Sequence, residues 1–453
     1  MSVTTSYPGV YIEEDASPSL SVSSAPTAVP VFIGPFTLAS GAAVTPSQCI
    51  RVANWLEFTS QFSSNPTVAV AIVSTAPPSD PEPSPIQREG ATPVQADSYT
   101  YTATASVKAV NPAFDVKHYF QNGGGACYVL PLLDPSSATE LAAMSAAIES
   151  VVDITLLCLA TGAPTTVYSD LNTLLASNKG YFLIASSSDG ATTPGTQADQ
   201  TAVYYPDLNT SYCSPRPLDT AIAVTGYTDA AGKTASTMAQ LQTVSTGAYS
   251  VASAAVDTAL AVPLRLSSVA AMAGIYCSTD ASRGVWKAPA NVTVSGITGV
   301  SALVTDDQQG TMNNAGINVI RNFASRGVVV WGARTLAGTS DGDTSWRYIP
   351  VRRLFNSAER DIKKSMQTMV FEPNNAPTWE KVRSAIENYL NSLWKQGALA
   401  GATPKDAYFV NIGLNVTMTQ DQIDAGQMIA TVGMAAVRPA EFIILQFTQN
   451  MSS

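Results

Sequence analysis

The middle of the chain alternates short apolar runs with helix-like segments. Residues 126–133, 153–160 and 181–188 are apolar at most positions, and amphipathic stretches separate them. Strands that are apolar on both faces and joined by helices are typical of a mostly parallel sheet that is covered on both sides. This pattern predicts an α/β domain over residues 114–206.

The segments on either side of this domain show other patterns of apolar and polar residues. Residues 1–28 are rich in Ser, Ala and Pro and carry one β-type run at 10–12, whereas residues 29–36 read as a buried strand. Residues 76–93 contain so many prolines that we expect a surface loop there. Residues 207–261 are polar and rich in Ser, Thr and Ala, which indicates a peripheral insertion or an extended hairpin region.

Two amphipathic helices are predicted in the last quarter of the chain. The first should begin at Asn356 or Ser357 and break at Pro373. The second should be capped by Thr378 and end at Gly397. Segments of β type follow them.

The last of these β-type segments, residues 440–449, is apolar on both faces. Exposed alone, such a strand would promote aggregation, so it needs a partner strand. The pattern leaves open whether the partner belongs to the same subunit or to a neighbour.

Composition indicates a globular protein that is part of an assembly. Of its 453 residues, 45% are hydrophobic and only 13% are charged, against roughly 25% charged residues in an average soluble protein. We therefore expect two or three domains, and part of the surface should be buried in an assembly. The net charge of −10 argues against a general nucleic-acid binder.

The sequence does not predict chemistry that needs a metal, a cofactor or a disulfide. The five cysteines are scattered and never form a CxxC pair, which fits reduced thiols. The first residues do not show the basic n-region and apolar h-region of a signal peptide, and no apolar run reaches the ~20 residues of a membrane span. We accordingly expect folding in a cytoplasm and no membrane insertion.

Three isolated features could support chemistry, and each has a structural alternative. His118 is the only histidine, and no nucleophile motif accompanies it. The glycines at 123–125 end a predicted helix and lack phosphate-loop spacing. Asp306 and Asp307, like the Asp341–Asp343 loop, do not continue as a calcium loop. The sequence therefore predicts no catalytic, cofactor-binding or metal-binding residue.

Charge is concentrated in one place. Residues 321–364 hold nine basic and four acidic side chains, a net charge of +5, so the rest of the chain carries −15. A basic segment in an acidic protein indicates either an acidic partner surface or pairing within the chain.

Several long motifs resemble, in their order, the contractile-tail sheath proteins of myophages and R-type tailocins. They are SYPGVYIEE at 6–14, KHYFQNGGGACYVL at 117–130, GIYCSTDASRGVWKAPAN at 274–291, GINVIRNFASRGVVVWGARTL at 316–336, WRYIPVRRLFNSAERDIKKS at 346–365 and RPAEFIILQF at 438–447. Residues 77–107 and 207–261 show no such match, so their fold and role stay open.

The resemblance implies an α/β and α+β multidomain fold with extended terminal arms. The expected divisions are an N-terminal arm and linker at 1–28, an N-terminal part of the body with a variable Pro-rich outer region at 29–113, the α/β middle domain at 114–206, a peripheral insertion at 207–261, a conserved core at 262–345, an inner tube-facing C-terminal domain of helices and strands at 346–438 and a C-terminal strand arm at 439–453.

The resemblance also implies a function. Subunits would stack as hexameric rings in a helical sheath around an inner tube, with baseplate and tail terminator proteins as further partners. Contraction from a metastable extended state would drive the tube through a target envelope. The particle would be a virion tail or a tailocin, assembled in the host cytoplasm.

Two sets of residues follow from the resemblance as expectations. The inter-subunit strand arms would be formed by Val10, Tyr11, Ile12, Glu13, Phe442, Ile443, Ile444, Leu445 and Phe447. The basic residues that would contact the tube are Arg352, Arg353, Arg360, Lys363 and Lys364, with Lys381 and Arg383 as second choices. The alternatives are another self-assembling virion component, such as a tail-tube or capsid-like protein, and an α/β enzyme. A phage, a tailocin and an extracellular injection system also remain alternatives.

Overall fold

A computed structural model describes residues 20–39, 47–75, 99–108, 112–134, 136–229, 232–339 and 344–442. The strands in these ranges are β1 (Pro30–Gly34), β2 (Ile50–Val52), β3 (Thr67–Thr75), β4 (Thr100–Lys108), β5 (Cys127–Pro131), β6 (Leu156–Leu159), β7 (Phe182–Ser186), β8 (Thr201–Tyr205), β9 (Leu208–Thr210), β10 (Ala223–Thr225), β11 (Arg265–Leu266), β12 (Ile297–Val300), β13 (Ile317–Phe323), β14 (Gly327–Trp331), β15 (Tyr408–Ile412) and β16 (Ala430–Met434).

The helices in the same ranges are α1 (Trp55–Gln61), α2 (Pro112–Gln121), α3 (Ala138–Ser150), α4 (Val167–Leu175), α5 (Met238–Val244), α6 (Thr246–Leu260), α7 (Val269–Arg283), α8 (Asp306–Asn314), α9 (Ile349–Met366), α10 (Ala376–Lys395), α11 (Pro404–Ala407) and α12 (Gln420–Asp424). None of these helices is both long enough and apolar enough to cross a lipid bilayer.

The chain divides into two compact units. The sheet unit comprises the described part of residues 27–352. The C-terminal unit comprises the described residues before 27 and after 352.

An eight-stranded sheet forms the centre of the sheet unit. Its strand order is β14-β13-β8-β7-β6-β1-β5-β2. The six inner strands are parallel, while β2 and β14 join the two edges antiparallel. One face packs against α2 and α7 and the other against α3 and α4. The apolar runs of the middle segment thus become strands buried on both faces, as predicted.

The sheet unit also contains a smaller sheet with two helices, which the sequence did not predict. Strands β3, β4 and β10 form a three-stranded sheet, and α5 and α6 share a core with it. Helix α6 buries a stripe with four-residue spacing, consisting of Ala248, Ala252, Val256 and Leu260. Residues 207–261 therefore contain two helices, although the segment reads as loose and polar. Small alanine side chains gave this stripe a weak apolar signal.

The C-terminal unit is built on two long helices followed by a hairpin. Helix α9 begins at Ile349, seven residues before the predicted start at Asn356, because Asn356 and Ser357 are buried helical residues and not caps. Helix α10 is capped by Asn375, whose side chain accepts the N–H of Thr378 at 3.2 Å, so Thr378 is not its cap.

The end of α10 agrees with the sequence. Gly397 follows the helix with a φ of +83°, a left-handed conformation that favours glycine. Val382, Ile386 and Leu390 of the predicted apolar stripe are buried.

A buried carboxylate, Asp115 on α2, links two elements of the sheet unit. It is 1% exposed, and its oxygens accept the backbone N–H and, at 2.9 Å, the hydroxyl of Thr161. Burial raises the pKa of Asp115 to about 7, although the two hydrogen bonds from Thr161 act in the opposite direction.

This carboxylate should make the stability of the fold dependent on pH. Because the folded state binds the proton more tightly than the unfolded chain, stability is full below the unfolded pKa and falls as the pH rises towards about 7. The slope should approach 1.4 kcal/mol per pH unit at most, by order of magnitude.

We expect Asp115→Asn to remove that slope, as measured by urea unfolding between pH 4.5 and 8, roughly the interval set by linkage. The exposed Asp153→Asn is the matched control and should keep it. Equal slopes in wild type and Asp115→Asn would contradict the assignment.

Candidate interaction surfaces of the C-terminal unit

Strands β15 and β16 form a two-stranded antiparallel sheet with one covered face. Val410 and Ile412 of β15 are buried on the side of α10, whereas Phe409, which precedes them, is 52% exposed on the other side. In the described chain, no third strand joins this sheet. Packing against α10 stabilises this hairpin, and a sheet edge without a partner strand can accept one by β-augmentation.

The register shows which backbone groups face the outer edge of β16. The N–H of Ala435 donates to the C=O of Ala407 at 2.8 Å, which defines a hydrogen-bonded pair. Such pairs alternate along an antiparallel ladder. The Val410–Val432 pair is therefore of the other kind, and the N–H of Val432 points away from β15.

Arg383 on α10 occupies part of the opposite edge. Its guanidinium donates to the backbone C=O of Ile412 at the end of β15 and to the carboxylate of Glu380. These bonds give Arg383 a role inside the subunit, which the sequence did not indicate.

The structure separates the predicted basic residues of α9. Arg352 and Arg353 are only 7% and 3% exposed. The guanidinium of Arg352 lies 4.1 Å from the ring centroid of Trp346 and 3.9 Å from the carboxylate of Asp199. Burial of both residues does not fit a contact with a second protein. For Arg352, these contacts are of the kind expected from pairing within the chain.

Arg360 also bonds within the C-terminal unit. Its Nη2 donates to the C=O of Pro26 at 2.8 Å. Lys363 and Lys364, in contrast, are exposed in the last turns of α9, where the helix dipole favours cations. Lys381 on α10 is partly exposed. The accessible positive charge of this region is therefore concentrated on Lys363 and Lys364.

Of the predicted arm residues, the described part of the chain includes Phe442. Phe442 is 70% exposed at the end of the described chain. Val10, Tyr11, Ile12, Glu13, Ile443, Ile444, Leu445 and Phe447 lie outside the described residues.

The sequence predicted β-type segments here, but not that they form a sheet that could receive such arms. Residues 408–412 are apolar at four of five positions, so the exposure of Phe409 could not be read from the sequence. Nor could the edge of β16 that has no partner strand within the described residues, because it depends on which segments lie beside it in space.

Comparisons with family models and with solved structures all identify tail sheath proteins. A model of the phage tail sheath protein central domain matches residues 195–336, and a model of the phage tail sheath C-terminal domain matches residues 341–450. The helical sheath of the anti-feeding prophage (AFP) in its contracted state is 42% identical, with a TM-score of 0.69 over 99% of this chain and 100% of that chain. The contracted sheath complex of the extracellular contractile injection system PVC is 37% identical, with a TM-score of 0.67 over 99% of both chains.

More distant relatives are curated phage proteins. The tail sheath protein of Vibrio phage KVP40 is 26% identical over 180 residues, which cover 39% of this chain and 25% of that protein. The tail sheath protein of Enterobacteria phage T4 is 27% identical over 180 residues, 39% of this chain and 26% of that protein. The matched region thus spans about a quarter of these two relatives.

Proposed function

This chain belongs to the contractile tail sheath family, and we propose that it is the subunit of a sheath around an inner tube. The sheath would consist of stacked hexameric rings. In this proposal the sheath contracts from a metastable extended state and drives the tube through a target envelope. The role is structural and involves no catalysis. The inner tube, the baseplate and the tail terminator proteins are its proposed partners.

The observation that supports this proposal best is the outer edge of the β15–β16 sheet. The N–H of Val432 faces this edge, and in the described chain no strand pairs with it. A strand arm from a neighbouring subunit would satisfy that edge by β-augmentation. Val10–Glu13 is the proposed N-terminal arm strand and 442–447 the C-terminal one.

Burial of the C-terminal strand would contribute substantially to such a link. Its five large apolar side chains, Phe442, Ile443, Ile444, Leu445 and Phe447, would contribute on the order of 10 kcal/mol before costs. Ordering of the arms and loss of free motion would offset much of that gain. The remainder would stabilise a link that is repeated in every ring.

Contraction then needs no nucleotide. Closer packing of subunits buries more surface, and this difference in free energy would perform the work when a baseplate signal releases the first ring. The arms would keep neighbours connected while the subunits rotate.

The proposed tube contact rests on Lys363 and Lys364. Both are exposed on one helix in a chain whose net charge is −10, so an acidic tube surface would attract them. Lys381 and Arg383 remain second choices. Exposed ion pairs contribute about 0.2–1 kcal/mol each. Weak contacts repeated in every ring can hold an extended state and still release.

Charge reversal tests this contact. We expect Lys363→Glu with Lys364→Glu to lower the fraction of extended sheaths on co-expressed tubes severalfold, as counted by negative-stain microscopy. Both side chains are exposed, but Lys364 also interacts electrostatically with buried Asp361, so the comparison requires that the variant keeps the melting temperature of wild type.

The matched control reverses two other exposed lysines of the same unit, Lys395→Glu and Lys405→Glu. This variant should behave like wild type. An unchanged extended fraction in the Lys363 and Lys364 variant would remove these residues from the tube interface.

The relatives support one type of particle over the others. Identities of 42% and 37% to the AFP and PVC sheaths exceed the 26% and 27% to the two phage proteins. We therefore favour an extracellular contractile injection particle, assembled in a bacterial cytoplasm, over a phage tail.

A further inference from the structure

A buried carboxylate in the C-terminal unit holds the segment that follows the N-terminal arm. Asp361 on α9 is 2% exposed. Its Oδ1 accepts the backbone N–H of Ala25 at 3.2 Å, and its Oδ2 accepts the hydroxyl of Tyr389 on α10 at 2.9 Å. One carboxylate thus ties two helices to a residue 336 positions away in sequence.

Neighbouring groups extend this contact along the chain. The guanidinium of Arg360 donates to the C=O of Pro26 at 2.8 Å, directly after Ala25. The hydroxyl of Tyr389 also interacts with Ser24. Three consecutive residues, 24–26, are therefore held by Arg360, Asp361 and Tyr389, which we call the seat.

Burial of the Asp361 carboxylate costs desolvation free energy, which indicates that the seat has a role in addition to packing. Burial raises the pKa of Asp361, while the hydrogen bonds from Tyr389 and Ala25 and the positive charges of Arg360 and Lys364 lower it. A buried charge is often less stabilising than an apolar side chain of equal volume, yet it imposes one geometry through directional hydrogen bonds. Apolar packing alone would let the segment slide along the helices.

We propose that Asp361 is a positioning residue that fixes the direction in which the N-terminal arm leaves the C-terminal unit. This inference rests on the proposed function, because it assumes that Val10–Glu13 pairs with a neighbouring subunit. The seat lies ten or more residues after that strand, at the root of the arm.

The seat also connects the arm to the proposed tube contact. Helix α9 holds the arm root through buried Asp361 and presents Lys363 and Lys364 to solvent. The root of the arm and the two lysines are consequently coupled through α9. A rotation of α9 away from the tube would pull directly on the link to the neighbouring subunit.

The test compares Asp361→Ala with Asp361→Asn in the full chain. The alanine variant loses both acceptor oxygens, so exchange of the Ala25 amide should accelerate at least tenfold, and sheath polymers should become at least tenfold shorter. The asparagine variant keeps an acceptor of the same shape and should recover most of the polymer length. Asp424→Ala, an exposed acid of the same unit, is the control and should resemble wild type.

A purely structural role would not give this result. It would lower the melting temperature and leave the polymer length at the wild-type level at temperatures where the variant is folded. Polymers of normal length with unchanged exchange in Asp361→Ala would overturn the proposal. If that variant fails to fold, Tyr389→Phe decides, because it removes the hydroxyl that bonds to Asp361 and interacts with Ser24 and keeps the ring packing; polymers of wild-type length there would overturn the proposal too.

Ile12→Pro separates this inference from the proposed function. Loss of polymers in Ile12→Pro together with normal polymers in Asp361→Ala would reject the seat alone. Normal polymers in Ile12→Pro would reject strand exchange by the N-terminal arm, and the positioning role would fall with it.

Discussion

Removal of residues 1–14 is expected to convert long, striated hollow cylinders into dispersed subunits or short rings. The deletion removes the strand Val10–Glu13, which we propose to pair with a neighbouring subunit. Each interstrand hydrogen bond contributes about 1 kcal/mol. A link weakened by about 3 kcal/mol associates roughly 100-fold less well, and a helical polymer multiplies that loss over many subunits. Negative-stain microscopy of the chain expressed alone measures the outcome.

The control for this experiment separates the strand from the length of the arm. Replacing Val10, Tyr11 and Ile12 by serine keeps the chain length and should abolish cylinders nearly as completely as the deletion. Replacing Glu13 and Glu14 by glutamine leaves the apolar strand intact and should permit cylinders. Equally long cylinders from the deleted chain would show that the N-terminal arm does not link subunits.

Proline at position 432 is expected to block assembly while the subunit stays folded. The N–H of Val432 faces the outer edge of β16, so its loss removes no bond to β15. Proline is tolerated on edge strands for this reason. An incoming arm would lose a hydrogen-bond donor and meet the proline ring, so we expect polymer mass in sedimentation assays to fall at least tenfold. The melting temperature should change by a few degrees at most.

Val432→Ala is the matched control, because alanine retains the edge N–H and removes only the side chain. It should polymerise nearly as well as wild type. If Val432→Pro sediments like wild type, the outer edge of β16 does not receive an arm. If both variants fail equally, the side chain of Val432, and not its backbone, carries the contact.

The middle domain shows how far a sequence pattern can predict structure. Residues 126–133, 153–160 and 181–188 became β5, β6 and β7 of a parallel sheet. The prediction succeeded because strands buried on both faces must be apolar at nearly every position. The same reason made the end of α10 at Gly397 predictable, since its left-handed backbone strongly favours glycine.

Charge was the least predictable property. The basic stretch at 321–364 looked like one surface, yet Arg334, Arg352 and Arg353 are buried. Guanidinium groups bond readily to backbone carbonyls inside a protein, as Arg334 does with Asn313 and Gly338. The sequence gives the sign of a charge and not the side of the helix on which it lies.

The sequence by itself determined the family, the parallel α/β core and the two C-terminal helices, because these depend on motifs and on local periodicity. Only the tertiary structure decided that residues 207–261 pack with β3 and β4, that Asp361 holds residues 24–26, and that β16 pairs at only one edge within the described residues. These three features arise from contacts between segments far apart in the chain. Their free energy depends on distances in space, which no local pattern of residues records.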